Sequence, residues 1–562
     1  MRASRRRGAR ARSASFADRQ ATPSTFSGTG LFAVDHDGQN LRELATDRRT
    51  YRIVRMLSLR DDGSDDVLIV AQDIRVPSQW KRRYPDAFRL NTRSGEASLL
   101  TEDRPGDPIH WVADRAGAVR AAVTTQRAAS NAAWWRRSAD APWQKLAEYR
   151  FDQPGIVPVA FDGDGTLIVA SSIGHASAAL YRYDTERMAL GERLAEHPYA
   201  PLSQVVYDAR ERKVVGVRYD DGKPGHAWFD DEWAKLAAGI DKALPGAANT
   251  LYGSGTRMLV HSASDVDPGS WYLLDTQGRK LEFLLASRPE LRSSELPSRT
   301  FVRYPARDGL SIPAYLTLPR GREAKDLPLV VLVHGGPFVR GAYWTFDAEA
   351  AFLASRGYAV LQPEFRGSAG FGGRHFRAGW KQWGRAMQDD LLDGVDWLVA
   401  RGTVDTKRVC IMGASYGGYA AMMGLARHGD RYRCGISIAG VSDIRLMFTA
   451  AWSDTAYSDF MNQGPAHAMI GDPERDADDM QANSPLGNVS RIRAPVLLAH
   501  GGSDVRVPVD HGVRLRNALR SQGTPVEWLE FPDEGHGFRL DANRFALYES
   551  VAGFLARHLP AE

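Results

Sequence analysis

The chain has 562 residues, 43% of them hydrophobic and 25% charged, which excludes a disordered protein and supplies ample apolar material for large cores. Its net charge of +4 is concentrated in the first 20 residues, where seven arginines meet one aspartate; the remainder comes to about −2, so no nucleic-acid-binding face is expected. The longest apolar runs, such as 327–333, are too short to span a bilayer, so no membrane partner is expected.

Residues 1–25 read as a disordered basic tail, with neither the apolar stretch nor the small-residue cleavage site of a secretory signal. Their Arg- and Ser-rich character also fits a transit peptide or a misplaced start codon. As written the chain reads as cytoplasmic; a true start further upstream would make it periplasmic or secreted. Cys410 and Cys434 each lie beside a predicted buried strand and read as inert core thiols, too few for a disulfide framework.

Residues 26–290 consist of short alternating segments rich in Val, Leu, Tyr and Trp, with no long amphipathic helix expected. Polar turns recur after similar strands, around Asp35, Asn91, Ser138, Asp184, Asp230 and Asp275, at spacings of about 56, 47, 46, 46 and 45 residues. A period of that size, with several short strands in each unit, is the mark of a β-propeller blade. Six blades are visible, and a pair of β-sandwiches is the alternative.

After the polar stretch SRPELRSSELPSR the pattern changes. Over residues 296–562 apolar runs such as LPLVVLV, YAVLQP, RVCIM, CGISI, PVLLAH and VEWLEF alternate with helical segments. That alternation predicts a doubly wound, mostly parallel sheet of the α/β-hydrolase class, with functional groups beyond the carboxyl ends of its strands.

Ser415 falls at such an end, in GASYG between RVCIM and a predicted helix. Small residues on both sides permit the sharp strand-to-helix turn of a nucleophile elbow. In a chain with 53 glycines the five-residue match is weak by itself, and its placement gives it weight. Asp504, just past PVLLAHGGS, and His536, in the loop after VEWLEFP, follow in the order that a serine nucleophile of this class requires. His536 is the expected general base and Asp504 its orienting acid, with Asp533 as the rival acid and His500 and His511 as weaker rivals for the base. The backbone N–H groups of Tyr416 and Gly336, the latter in VHGGPF, are the expected oxyanion donors. His334 reads as shaping that turn.

With these residues in place, the chain resembles the prolyl oligopeptidase family of serine peptidases, nearest its acylaminoacyl-peptidase-like branch. The matching segments are HGGP at 334–337, FRGSAGFG at 365–372, GASYGGY at 413–419, GGSDVRVP at 501–508 and DEGHGF at 533–538. The resemblance implies short peptide substrates, access filtered by the propeller, and no cofactor or metal. It implies that Arg506 can bond a substrate carbonyl, with a surface or interdomain ion pair as the alternative, and that Val441 and Val507 line an apolar pocket for the residue before the scissile bond. Family members that release dipeptides anchor the substrate amine on adjacent glutamates, and this chain has no such pair. At the positions of their pocket aromatics it has Ile444, Met447 and Ala451, which argues against proline specificity. The family's propellers commonly have seven or more blades, so six suggest a start downstream of the true one.

The reading is therefore a serine peptidase. A carboxylesterase with the same three residues and a non-catalytic propeller scaffold are the alternatives, and assembly into a homo-oligomer is a second route to size selection.

Overall fold

LPLVVLV is buried along its whole length, as befits a strand covered on both faces. It is the third strand in chain order of an eight-stranded sheet whose strands we number β1 (Arg299–Pro305), β2 (Ser311–Thr317), β3 (Leu327–Val333), β4 (Ala359–Pro363), β5 (Val404–Ala414), β6 (Cys434–Ile438), β7 (Val496–Gly501) and β8 (Val526–Phe531). The computed structural model describes residues 10–13, 31–35, 37–45, 51–60, 63–73, 84–126, 129–175, 177–208, 210–211, 213–449 and 464–561.

The spatial order of the large sheet is β1-β2-β4-β3-β5-β6-β7-β8. All neighbours from β4 to β8 pair in parallel, whereas β1 with β2 and β2 with β4 pair antiparallel. The strand–helix alternation did not reveal β1 and β2, because a hairpin through Ala306–Leu310 joins them with no intervening helix.

Strand periodicity of two assigns the two faces. Leu329, Val331 and Val333 of β3 and Val409 and Ile411 of β5 enter one core, with Met387, Leu391 and Val395 of the helix Ala386–Ala400 and Met422 of the helix Tyr416–Arg427. Val330 and Leu332, with Cys410 and Met412, enter the other, against Leu353 of the helix Ala348–Ala354 and Leu547, Val551 and Phe554 of the helix Asp541–His558. Each such aliphatic side chain stabilises the fold by roughly 1.5–3 kcal/mol.

Cys410 and Cys434 are register partners on β5 and β6, their Cα atoms 4.8 Å apart, and they form a disulfide. The expectation of free thiols is corrected: both side chains point into the same face of adjacent strands, a proximity that a separation of 24 residues conceals.

The N-terminal half contains six sheets of three or four strands among the described residues, with sequence neighbours adjacent in each sheet. The second, third and fourth sheets pack on one another in turn: Val70 and Ala87 meet Trp111 and Ala122, and Val112 and Trp135 meet Phe161 and Val169. The recurrent turns follow the same strand of successive sheets, ending or just following Asp86–Asn91, Ser130–Trp135, Ala179–Asp184 and Ser270–Asp275. Within the stretch expected to be disordered, Arg10–Ser13 is instead a strand paired with Leu31–Val34, a ladder that needs only backbone donors and acceptors. The other residues of that tail lie outside the described residues.

One repeat departs from the pattern. After Pro224–Trp228 the chain forms the helix Asp231–Ala243, correcting the expectation of no long helix in this half. Asp230 caps it by accepting hydrogen bonds from the N–H groups of Glu232 and Trp233, and Trp233, Ala237 and Ile240 at helical spacing are buried. Asp230→Ala is expected to lower stability by about 1 kcal/mol, read as a lower urea midpoint at unchanged slope.

By packing, the chain divides into residues 1–197 with 204–217, and residues 198–203 with 218–562. The second unit thus begins ahead of the large sheet. Within it Arg340 donates to the Asp220 carboxylate at 2.7 Å and Arg303 to that of Asp221 at 2.9 Å.

Candidate active site

β5 ends at Ala414, and Ser415 caps the helix Tyr416–Arg427 with φ 58° and ψ −120°. A non-glycine residue held there costs of order 1–3 kcal/mol and persists only when its surroundings enforce it. The Ser415 N–H donates to the Ile438 carbonyl at 2.9 Å. A Cβ on Gly413 or Gly417 would stand 2.4 or 2.0 Å from the Val333 carbonyl oxygen. The flanking glycines are therefore required by the close passage of β3 beneath the turn.

His536 Nε2 lies 3.0 Å from Ser415 Oγ, and His536 Nδ1 lies 2.8 Å from Asp504 Oδ2. The Asp504 side chain is fully buried, and its Oδ1 accepts the N–H groups of Arg506 and Val507, both at 2.9 Å. A carboxylate against Nδ1 calls for a proton on that nitrogen, which leaves Nε2 to accept from the serine hydroxyl. The three residues come from the ends of β5, β7 and β8.

Sequence reasoning missed what holds the two later loops. The buried carboxylate of Glu534 accepts the N–H groups of Arg539 and Leu540, both at 2.9 Å, and the Asn543 amide at 3.0 Å, while the Glu534 carbonyl accepts the Ser503 N–H. The second acid of DEGHGF, two residues before His536, is the signal that could have pointed to it. Asp533, the rival acid, is exposed. His500 Nε2 lies 2.8 Å from the Val507 carbonyl, and His511 Nδ1 accepts the Ser442 N–H at 3.1 Å. Burial holds both imidazoles below their usual range, that of His511 down to about 3.

The loop after β3 passes Ser415 closely, since a Cβ on Gly335 would be 3.4 Å from that of Ser415. Gly336 has φ 120°, open to glycine and rarely to other residues. The backbone N–H groups of Gly336 and Tyr416 donate no hydrogen bond to any backbone carbonyl outside regular helices and strands among the described residues. Glu364, fully buried, accepts the N–H groups of Gly341 and Ala342 and anchors the far side of the loop. His334 stacks on Phe365 with ring centroids 4.4 Å apart and places Nε2 2.9 Å from Ser368 Oγ.

The residues expected to bind substrate differ in exposure. Val441, Val507 and Ile444 are buried in the main core, with Met447 packed against it, while Arg506 is exposed. Ala451 lies outside the described residues. A cavity of about 190 Å³ opens beside Ser415 and His536, and its walls include Glu349, Arg544 and Tyr548, none of which was anticipated. Burial, reinforced by Asp347, pushes the Glu349 carboxyl up to about 7.

Among the described residues no group of three or more His, Cys, Asp or Glu side chains is placed to hold a metal ion, and no helix is long and apolar enough to cross a membrane.

The prolyl oligopeptidase family (Peptidase_S9) matches residues 344–562. Dipeptidyl aminopeptidase BIII of Pseudoxanthomonas mexicana is 31% identical over 555 residues, covering 94% of this chain and 76% of its own length. Acylamino-acid-releasing enzyme 2 of Oryza sativa is 26% identical over 254 residues, 45% of this chain and 33% of its own. Among solved structures, a puromycin-hydrolyzing peptidase of Mycobacterium tuberculosis superposes with TM-score 0.72 at 21% identity, covering 95% of this chain and 83% of that one. The acylaminoacyl peptidase of Pyrococcus horikoshii does so with TM-score 0.67 at 18% identity, over 96% and 86% of the two chains. With an elbow serine, a like fold and a relative that spans nearly its whole length, the chain belongs to the prolyl oligopeptidase family of serine peptidases.

Proposed function

We propose that the chain hydrolyses short peptides through an acyl-enzyme on Ser415, with His536 as general base and acid and Asp504 as its orienting partner. The observation that carries this reading is the unbroken hydrogen-bonded chain from Asp504 through His536 to Ser415, at 2.8 and 3.0 Å. Nε2 takes the hydroxyl proton as Oγ attacks the scissile carbonyl, and Asp504 stabilises the imidazolium that forms. The N–H groups of Tyr416 and Gly336 receive the oxyanion, each contributing roughly 3–4 kcal/mol to the transition state. The proton then passes from Nε2 to the leaving amine, and a water activated by His536 releases the acyl group.

The acyl side is apolar, its pocket built on Val441 and Val507, and Arg506 bonds a substrate carbonyl. The N-terminal half is read as a β-propeller, supported by six meander sheets in succession, and access is limited to short peptides. An acylaminoacyl-peptidase or oligopeptidase preference is the first reading. Release of dipeptides is the second, favoured by the Pseudoxanthomonas relative and opposed by the lack of adjacent glutamates.

Turnover of N-acetyl-phenylalanine and N-acetyl-alanine anilides is expected alongside that of a nitrophenyl ester. Cleavage of the ester alone would make the chain a carboxylesterase. Faster release from an unblocked dipeptide anilide than from the acetylated one would select the dipeptidyl reading.

A further inference from the structure

Glu349 stands in the first turn of the helix Ala348–Ala354 and has no part in the chain from Asp504 to Ser415. It nevertheless faces the cavity that opens on Ser415 and His536. During acylation the departing amine must take its proton from His536 Nε2, so the leaving group lies on the imidazole side of the nucleophile. Among the described residues that line the cavity are Ser415, His536 and Phe538, and neither oxyanion donor nor Val441 nor Val507 is among them. Its position therefore suits the leaving group and not the acyl group.

The cavity's chemistry is divided. Ala414, Ile438, Phe538 and Leu547 make an apolar wall, and Glu349, Tyr548 and Arg544 supply the polar groups. Arg544 is paired with Asp541 at 3.2 Å, whereas the Glu349 carboxylate has no ion pair among the described residues. That carboxylate receives one hydrogen bond, from the Tyr548 hydroxyl at 3.3 Å, and Asp347 at the cap of its own helix adds like charge. An acid so placed gains from a cation, and an apolar wall beside it suits an aliphatic stem that ends in one.

We propose that this cavity receives the residue following the scissile bond and that Glu349 makes it selective for lysine or arginine at that position. The inference rests on the reading of Ser415 and His536 as the reacting pair. A volume of about 190 Å³ accommodates one extended side chain. The groups facing Glu349 are Asp347, Tyr548, Arg544 and, across the cavity, His536.

The test uses the full chain and peptides identical except for lysine, norleucine or glutamate after the scissile bond, compared by kcat/KM at pH 8. Lysine is expected to exceed norleucine by about tenfold or more, and glutamate to fall below both. Glu349→Gln is expected to bring the lysine-to-norleucine ratio near one, an effect that a purely structural role for Glu349 would not produce, since misfolding lowers both rates together. In the unaltered protein the ratio should also fall between pH 8 and pH 6 as a carboxyl titrating near 7 becomes neutral. A ratio near one in the unaltered protein, or one unmoved by both Glu349→Gln and pH, overturns the proposal. Failure to cleave any of the peptides while the ester is turned over would instead remove the peptidase reading, and this proposal with it.

Discussion

Ser415→Ala is expected to lower turnover of a peptide anilide by about a million-fold, with the folded state intact. The substitution removes one oxygen and one hydrogen bond, the 3.0 Å contact to His536 Nε2. The backbone of the turn is held by other contacts: the Ser415 N–H on the Ile438 carbonyl and two glycines beneath the Val333 carbonyl. Alanine carries the same left-handed penalty as serine at φ 58°, so it adds no new strain. Any residual rate over water would come from the oxyanion donors and substrate binding, which survive the change. The measurement is kcat with active-site titration, beside a thermal melt of both proteins. Turnover within a hundredfold of the unaltered chain, at an unchanged melt, would show that another group attacks the substrate.

The parts of this protein legible from sequence are those encoded by local regularity. Strand–helix alternation and GASYG placed Ser415 at a strand end because periodicity and turn chemistry are properties of adjacent residues. The polar turns from Asp35 to Asp275 found successive sheets for the same reason, each except that at Asp230 marking one strand junction. What escaped depends on partners distant along the chain. Tyr548 meets Glu349 across 199 residues, Cys410 meets Cys434 through a strand register, and Glu534 ties together loops whose proximity only the sheet creates. The helix Asp231–Ala243 is a different case. Its aspartate cap and its Trp233, Ala237 and Ile240 stripe are local signals, lost in a half whose short alternating segments all read as strands.

The same distinction applies to the site's energetics. The turn at Ser415 is encoded by its own flanking glycines and fixed by Val333 and Ile438, whereas His536 is oriented by a lattice of backbone donors that converge on two buried carboxylates, Asp504 and Glu534. Buried acceptors so engaged are rigid, because each lost hydrogen bond leaves a desolvated group unpaired. Rigidity at the acid therefore bears directly on which nitrogen of His536 carries the proton.

Asp504→Asn tests that dependence and is expected to lower kcat by about ten-thousandfold. The two backbone donors, Arg506 N–H and Val507 N–H, both at 2.9 Å from Oδ1, require an acceptor there, so the asparagine carbonyl must take that position. The amide NH2 is then turned toward His536 Nδ1, where Asp504 Oδ2 stands at 2.8 Å. An amide donor at that point selects the imidazole tautomer with its proton on Nε2, and Nε2–H cannot accept the proton of Ser415. Geometry is kept and function is lost, so the variant should melt cooperatively and bind substrate with little change in KM. Asp533→Asn, which alters an exposed carboxylate beside the same loop, should leave kcat within a few-fold. Equal losses from the two substitutions would mean that loop charge, and not the tautomer set by Asp504, governs the base.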